Sequence, residues 1–259
     1  MAVRLARGCI SVGPTAAVER ALKTSESVAR DIVRDIVRQG LSTGDSLPHE
    51  AAMIGHYGVS RESLREGLRL LEVQGLITLR RGPGGGPVVG HIDPATLGRT
   101  STLYYHVAGA TYRELFDAWV VTERLQAEYA AMNPDREAVR AAMEPYRVWL
   151  DEEADDETVE SYALLHSQFH AIVAALMNNS VLEILLQTVG QIVTHHVVLH
   201  ADPRQIRDVI AIDHHAIARA IAAGHRQRAA ELMEEHILAM VDIYGDALGK
   251  QFDDYIEWE

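Results

Sequence analysis

The sequence has a single cysteine, Cys9, among its 259 residues. One cysteine excludes an internal disulfide framework and a cysteine-based metal site, and it fits a protein of the reducing cytoplasm. No run of 18 apolar residues occurs, which excludes a membrane-spanning helix. The first two dozen residues carry scattered basic side chains but no clean apolar stretch with a small-residue cleavage site. They therefore predict a flexible basic arm at 1–24 rather than a secretory signal.

Positive charge is also scarce, since the formal net charge is −13. The deficit is uneven along the chain. Residues 1–99 hold 13 Lys and Arg against 10 Asp and Glu, a net charge of +3, whereas residues 100–259 hold 11 against 27, a net charge of −16. DNA would repel the acidic part and attract the basic part. The asymmetry predicts two domains with separate roles, of which the acidic one points away from any DNA.

The stretch from Val59 to Leu76 predicts a short amphipathic helix. Ser60 is a favourable N-cap residue, and Gly75 is a natural C-terminal stop. Leucines at i, i+4 and i+7 predict one buried face, and arginines at every fourth residue form a second stripe, which consists of Arg61, Arg65 and Arg69. Arginine can read guanine with two hydrogen bonds in the major groove and can also clamp phosphates. By itself, such a stripe is as often a solvated helix face as a DNA-reading one.

The neighbouring segments favour the DNA-reading interpretation. A predicted helix over about 25–39 is followed by a glycine-containing turn and by a short helix from Pro48 to Tyr57 that stops at Gly58. Downstream, two β-rich runs around a glycine loop predict a hairpin whose basal Arg80 and Arg81 can face DNA. Helix, turn, helix and hairpin in this order predict a winged helix-turn-helix over 25–90.

Five short motifs run through this region in order and without gaps: Leu47-Pro48-x-Glu50, Val59-Ser60-Arg61, Leu64-Arg65-Glu66, Leu71-Glu72-x-x-Gly75-Leu76 and Arg81-Gly82-Pro83-Gly84-Gly85-Gly86. Together they resemble the GntR family of bacterial transcription regulators. The resemblance implies DNA contacts by Arg61 and Arg65 beside Ser60, with the wing glycines Gly84 and Gly85 near the minor groove or the backbone. Family members usually have an arginine where this chain has Ala51, so operator preference is not carried over from relatives. One reading head covers a short half-site, which predicts a homodimer on palindromic operator DNA.

Glycine and proline become scarce after Thr102, and the pattern is helical from there on. Residues 91–101 contain several helix breakers and are interpreted as a linker. The predicted fold is therefore mainly α: the winged helix-turn-helix, an all-α bundle of six or seven helices over 102–248, and an acidic tail at 249–259. The bundle helices are expected over about 112–132, 135–150, 157–177, 180–200, 204–223 and 226–248.

Four histidines fall on the apolar stripes of this bundle or beside them. His166 and His170 are i, i+4 neighbours on one helix. His214 and His236 lie roughly 15 and 18 Å from the Gly224 turn at 1.5 Å per residue, so an antiparallel helix pair would place them abreast. Burying several polar groups costs a few kcal/mol each unless they share a partner, which favours a divalent metal over separate core histidines. An all-imidazole site suits Zn²⁺ first, and Ni²⁺ or Cu²⁺ as well.

The helical segments also resemble a known protein domain. Phe169-His170, Asn178-Asn179, Asp213-His214-x-Ala216-Ile217 and His236 before Met240 resemble, in this order, the FCD effector-binding domain in the FadR branch of the family. The resemblance implies a divalent metal bound by an aspartate and three histidines, and His166 stands where the aspartate is usual. It also implies a pocket for a small carboxylate effector. Trp119 occupies the place of an arginine that faces this pocket in many relatives, which favours a bulkier or less acidic effector. Glu123 and His196 are further candidates for the pocket.

Two other functions stay open on the residues alone. Three histidines with an open coordination position also describe catalytic zinc, although no acidic residue is placed as an obvious general base. Alternatively, a regulator without metal would use the histidines to line a pocket for an acyl or aromatic ligand. The winged helix would be surplus in an enzyme, so the sequence favours a ligand-responsive regulator, most often a repressor in such proteins.

Overall fold

A computed structural model of the chain describes residues 23–82, 85–147, 159–197 and 207–258, apart from the side chains of 159–166, 197 and 207–210. The basic arm expected at 1–24 thus lies almost entirely outside the described residues. The chain divides into two compact units, with the division between Leu97 and Gly98. Within the described ranges, every helix is too short or too polar to span a membrane.

The first unit consists of three helices and a hairpin: α1 (Thr24–Gln39), α2 (Glu50–Tyr57), α3 (Arg61–Val73), β1 (Ile77–Arg80) and β2 (Gly86–Val89). The two strands are antiparallel, with Ile77 opposite Val89 and Arg80 opposite Gly86. This order confirms the predicted winged helix-turn-helix. Helix α2 begins two residues later than expected, because His49 is still extended at its N-cap.

The leucine face of α3 holds this unit together. Leu64, Leu68 and Leu71 are buried, and they share one apolar core with residues of α1, α2 and the hairpin, including Val28, Ile32, Met53 and Ile77. Ser60 caps the helix, since its hydroxyl accepts a hydrogen bond from the Ser63 backbone N–H at 3.1 Å. The apolar stripe therefore faces the core, and the arginine stripe is left on the surface.

Gly67 allows α3 to lie close against α1. A Cβ atom at this position would lie 2.6 Å from Cγ1 of Val28 and 2.9 Å from the carbonyl oxygen of Ser25. Because one of these atoms belongs to the backbone, the two helices would have to separate. We expect Gly67→Ala to destabilise the unit by about 1–3 kcal/mol through overpacking, against a helix-propensity gain of up to about 1 kcal/mol.

Urea unfolding followed by circular dichroism measures this effect. Gly55→Ala in α2 is the matched control, because a Cβ atom there meets nothing within 4 Å. The control protein should be as stable as the parent or slightly more stable. A Gly67→Ala protein that unfolds at the same urea concentration as the parent would show that the α1–α3 contact is not tight.

The second unit is helical, and the described residues in it form no sheet. Its helices are α4 (Pro94–Ala108, which begins before the division), α5 (Tyr112–Met132), α6 (Arg136–Arg147), α7 (Val159–Ala175), α8 (Ser180–Val197), α9 (Arg207–Ala223) and α10 (Arg226–Leu248), followed by a 3₁₀ turn over Gly249–Asp253. The arrangement confirms the mainly helical fold class. Helix α5 packs against α7, α8, α9 and α10, so it is the central helix of the bundle.

Two segments differ from the sequence interpretation. The stretch 91–101, expected as a linker, is helical from Pro94 onward, because proline is well suited to the first helical turn and Asp93 accepts a hydrogen bond from the Ala95 backbone N–H. Gly98 is not a breaker but a close-packing position, since a Cβ atom there would lie 3.2 Å from Ile192. The acidic C-terminal segment also contributes to the core: Ile256 is buried, and its backbone N–H bonds to the Ala110 carbonyl.

Candidate metal centre and DNA-binding surface

Three helices of the second unit bring three histidines to one point. His170 comes from α7, His214 from α9 and His236 from α10, and their potential ligand nitrogens all lie within 4.8 Å of one another. The ring centroids of His214 and His236 are 4.9 Å apart, and that of His170 lies 5.3 and 5.6 Å from them. The structure thus brings together three of the four predicted ligands. The side chain of His166 lies outside the described residues, so its role stays a prediction.

Each of the three rings is held in place by a neighbour. Nδ1 of His170 lies 2.8 Å from Oε2 of Glu123, and Nδ1 of His236 lies 3.0 Å from Oδ2 of Asp213. His214 instead stacks on Phe169 with a centroid distance of 3.9 Å. In the metal-binding form of such a pair, the ring nitrogen that faces the carboxylate carries the proton, and the buried Nε2 atoms of His170 and His236 are the electron-pair donors.

The protonation state of His236 also suits a metal ligand. Burial lowers its pKa below the ordinary value of 6.5, because desolvation disfavours the imidazolium ion. The hydrogen bond with Asp213 opposes this shift, and the proximity of His170 adds to it. His236 is therefore neutral near pH 7, and neutral imidazole is the form that binds metals.

The donor set of this cluster fits a borderline transition-metal ion. Three imidazoles and no bound carboxylate suit Zn²⁺, Ni²⁺ or Cu²⁺ better than Mg²⁺ or Ca²⁺, which prefer oxygen ligands. Three protein ligands leave coordination positions open for a further group. The two carboxylates, from Glu123 and Asp213, act on the imidazoles, and such partners tune the affinity of a metal site.

A pocket that is partly open to solvent adjoins the cluster. His170 lines it together with Trp119, Glu123 and several uncharged polar residues, namely Gln126, Ser167, Gln187, Gln191 and Thr194. The described lining contains neither lysine nor arginine. Trp119 and Glu123 were both predicted to line an effector pocket. His196, the third candidate, is not among the described lining residues and instead lies 3.2 Å from the Tyr112 hydroxyl.

Glu123 has a larger part in this site than its sequence position indicated. Its side chain is buried; Oε2 accepts from His170, and Oε1 accepts at 3.3 Å from both the Trp119 indole N–H and the Gln126 amide. Asp213 was not predicted at all, because it precedes His214 in the chain but serves His236 on another helix. The sequence indicated this network only through the four-residue spacing of Trp119 and Glu123, which places both on one face of α5.

The first unit presents the predicted DNA-binding residues on its surface. Arg61, Arg65 and Arg69 are exposed along α3, and Arg80 and Arg81 are exposed at the hairpin. Arg65 is positioned by Glu50 of the Leu-Pro-x-Glu motif, with 3.2 Å between Nε and the carboxylate, a pair that the sequence did not indicate.

Of the two wing glycines expected near DNA, Gly85 is also required by the conformation of the hairpin loop. A Cβ atom at Gly85 would lie 2.3 Å from the Arg80 carbonyl oxygen, so no larger residue fits this turn. The other predicted wing residue, Gly84, lies outside the described residues.

Comparison with known proteins agrees with this architecture. The family model for bacterial regulatory proteins of the gntR family matches residues 24–85, and the model for the FCD domain matches residues 114–239. A protein described as the HTH-type transcriptional regulator RmpR of Mycobacterium gastri is 29% identical over 234 residues, which cover 85% of this chain and 78% of the relative. The HTH-type transcriptional regulator YcbG of Bacillus subtilis (strain 168) is 27% identical over 213 residues, which cover 82% and 86%.

A solved structure, described as Streptococcus agalactiae GntR, has the same fold. It superposes with a TM-score of 0.61 at 20% identity, over 83% of this chain and 98% of that one. The matching family consists of transcription regulators, which excludes the metal-dependent enzyme that the histidine spacing alone left open. The chain belongs to the GntR family of bacterial transcription regulators, with a GntR-type helix-turn-helix domain followed by an FCD domain.

Proposed function

We propose that this regulator is a repressor of the FadR branch whose FCD domain binds a divalent metal, Zn²⁺ by preference, and a small effector beside it. Effector binding changes the affinity for a palindromic operator, which a cytoplasmic homodimer reads through Ser60 and the arginines of α3 and the wing. The observation that carries the proposal is the convergence of His170, His214 and His236 from three helices within 4.8 Å.

The pocket lining supports a class of effector. A bound divalent ion supplies positive charge and open positions for one carboxylate. The rest of the described lining offers amides, hydroxyls and the Glu123 carboxylate but no cationic side chain, so it has nothing to neutralise a second anionic group. We infer a hydroxylated or amidated monocarboxylate, with Trp119 as the flat wall of the pocket.

Glu123 supplies the link between effector and metal ligand. The same carboxylate that orients His170 also accepts hydrogen bonds from Trp119 and Gln126, which face the pocket. An effector that bonds to the indole N–H or to the amide competes with Glu123 for these donors. The hydrogen bond between Glu123 and His170 then changes, and with it the contact between α5 and α7.

Exposed apolar residues support the homodimer. On α4, Tyr104 and Val107 are 70% and 80% exposed, and on α8 Val181 is 69% exposed. Contiguous exposed apolar surface marks interaction sites, and Tyr104 and Val107 are three residues apart, so they are neighbours on the surface of α4. Light scattering on the purified protein measures the mass in solution, and a mass equal to one chain at micromolar concentration would contradict the dimer.

Metal analysis combined with operator selection tests the proposed function. The protein is purified without an affinity tag or a nickel column, its metal content is determined, and bound DNA is enriched from a random pool. We expect about one transition-metal ion per chain and a palindromic consensus, with release of DNA by a monocarboxylate from a screened panel. A protein that holds no metal, and that added Zn²⁺ does not stabilise, would instead support the metal-free regulator with an acyl or aromatic ligand.

Glu123→Gln tests the carboxylates that orient the histidines. Glutamine keeps the side-chain size but removes the charge, so the Nε2 atom of His170 becomes a weaker donor. We expect metal affinity to fall by about 10–100-fold, with Asp213→Asn giving a similar loss through His236. Competition against a chromophoric chelator measures the affinity. The exposed Glu137→Gln on α6 is the control, and parent-like affinity in both test variants would contradict the proposed orienting role.

A further inference from the structure

A second concave surface of the FCD domain has a different chemical character. It is a groove, open to solvent, that is formed by α6, α9 and α10. We call it the basic groove, because its described lining contains four arginines and two histidines and neither aspartate nor glutamate: Arg140, Arg147, His215, Arg219, His225 and Arg228. It shares no lining residue with the pocket beside His170.

The groove is lined by positive charge, whereas the domain as a whole is strongly negative. Residues 100–259 carry a net charge of −16, yet four of their eleven basic residues line this one depression. Arg147 pairs with Glu144, and Arg228 lies 3.7 Å from Glu231 and from Glu235. In the part of the chain that the structure describes, Arg140 and Arg219 form no ion pair. Two of the four arginines therefore carry a charge that no described carboxylate neutralises, and like charges gathered in a concave surface create a field that attracts anions.

The walls of the groove are fixed before any ligand arrives. Arg136, at the start of α6, donates hydrogen bonds to the carbonyl oxygens of Ile221 and Ala222 at the end of α9, at 2.8 and 2.9 Å. At the other end of α6, the Tyr146 carbonyl accepts a hydrogen bond from Nδ1 of His215 at 3.2 Å. Helix α6 is therefore fixed to α9 at both of its own ends, which sets the spacing of the backbone positions that carry the arginines.

The floor of the groove admits a ligand close to the helices. Several lining residues between the cationic side chains are small, namely Ala216, Ala220, Ala222 and Ala223. Helix α10 begins beside this floor, and no side chain caps its N-terminus at His225. The first backbone N–H groups of α10 thus add a favourable electrostatic contribution for a negative group, on top of the arginines.

We propose that the basic groove is a second ligand site of this regulator, for a metabolite that bears two or more phosphate groups. The guanidinium group binds phosphate oxygens through two parallel hydrogen bonds, and the arginines on three different helices match several such groups better than one. The site gives the protein a second chemical input, which is independent of the proposed metal.

Isothermal titration calorimetry of the full-length protein with inorganic triphosphate tests this site. We expect saturable binding with one triphosphate per chain, and no competition by an equal ionic strength of sodium chloride. Arg140→Gln combined with Arg219→Gln should weaken binding at least tenfold; both side chains are exposed, so the fold should be kept, and circular dichroism checks it. Lys250→Gln is the control, because it removes a positive charge from the same domain outside the groove. Metal content is measured before and after the titration, so that chelation by triphosphate is not mistaken for binding.

Three results would overturn the proposal. Absence of saturable heat would show that no oligophosphate site exists, and an equal loss of affinity in Lys250→Gln would show that only the net charge matters. Stronger binding of a poly-glutamate peptide than of triphosphate would assign the groove to an acidic protein partner instead.

Discussion

Substitution of His214 or His236 by alanine is expected to abolish stoichiometric metal binding. Each change removes one of three converging imidazoles, and loss of a direct ligand should cost more than the roughly 10–100-fold in affinity that is typical of an orienting partner. Because a ligand that binds only the folded state stabilises it, the parent protein should gain about 2.7 kcal/mol at 100 times the Kd, whereas the variants should gain nothing. Elemental analysis and thermal unfolding with added Zn²⁺ measure the two effects.

Two further histidine variants complete this experiment. His195→Ala is the matched control, since His195 is an exposed histidine on α8 of the same domain. His166→Ala decides the fourth ligand: metal retained in that variant would define a three-histidine site, and metal lost would define an all-imidazole site of four. Parent-like metal content in both His214→Ala and His236→Ala would refute a metal centre at this cluster. DNA binding kept in all of these variants would assign the cluster to sensing rather than to DNA contact.

Loss of the arginine stripe should have the second large effect, on operator binding. Arg61→Ala and Arg65→Ala are each expected to cost about 1–3 kcal/mol, which is roughly a 5- to 150-fold loss of affinity at 25 °C. If an arginine reads a base, specificity relaxes at one operator position. If it contacts a phosphate, binding weakens for all sequences and the dependence on salt concentration becomes less steep by about one counterion. Fluorescence anisotropy with the selected operator, at several salt concentrations, separates the two cases.

The control for this series removes the same charge from elsewhere in the first unit. Arg30 is exposed on α1, so Arg30→Ala should leave both affinity and specificity close to those of the parent. Glu50→Gln is informative as well, because it releases Arg65 from its ion pair without touching the arginine itself. Equal effects of Arg30→Ala and Arg65→Ala would mean that general electrostatic attraction, and not the face of α3, governs the binding.

The ends of helices could be predicted best where the sequence has capping residues or a glycine-containing turn. Helix α5 runs from Tyr112 to Met132 as expected, because Thr111 and Glu114 form a reciprocal cap at its start. Helix α10 also begins where expected, directly after the turn made by Gly224 and His225. Pro94 was misread, because the same residue breaks a helix interior and favours a helix start. Gly98 was misread because its lack of a Cβ atom serves a contact with Ile192, which lies more than 90 positions along the chain.

By itself, the sequence determined the helix-turn-helix, the helical bundle, and the placement of histidines on its apolar stripes, since each of these depends on periodicity and on residues a few positions apart. Only the tertiary structure decided that Asp213 orients His236 rather than its neighbour His214, and that Glu123 joins Trp119 and Gln126 to His170. It alone also gathered the cationic side chains of three helices into the basic groove. The physical reason is that such pairings depend on how each helix is rotated about its axis and on which helices pack together. Those two variables are set by the whole core, and no local pattern records them.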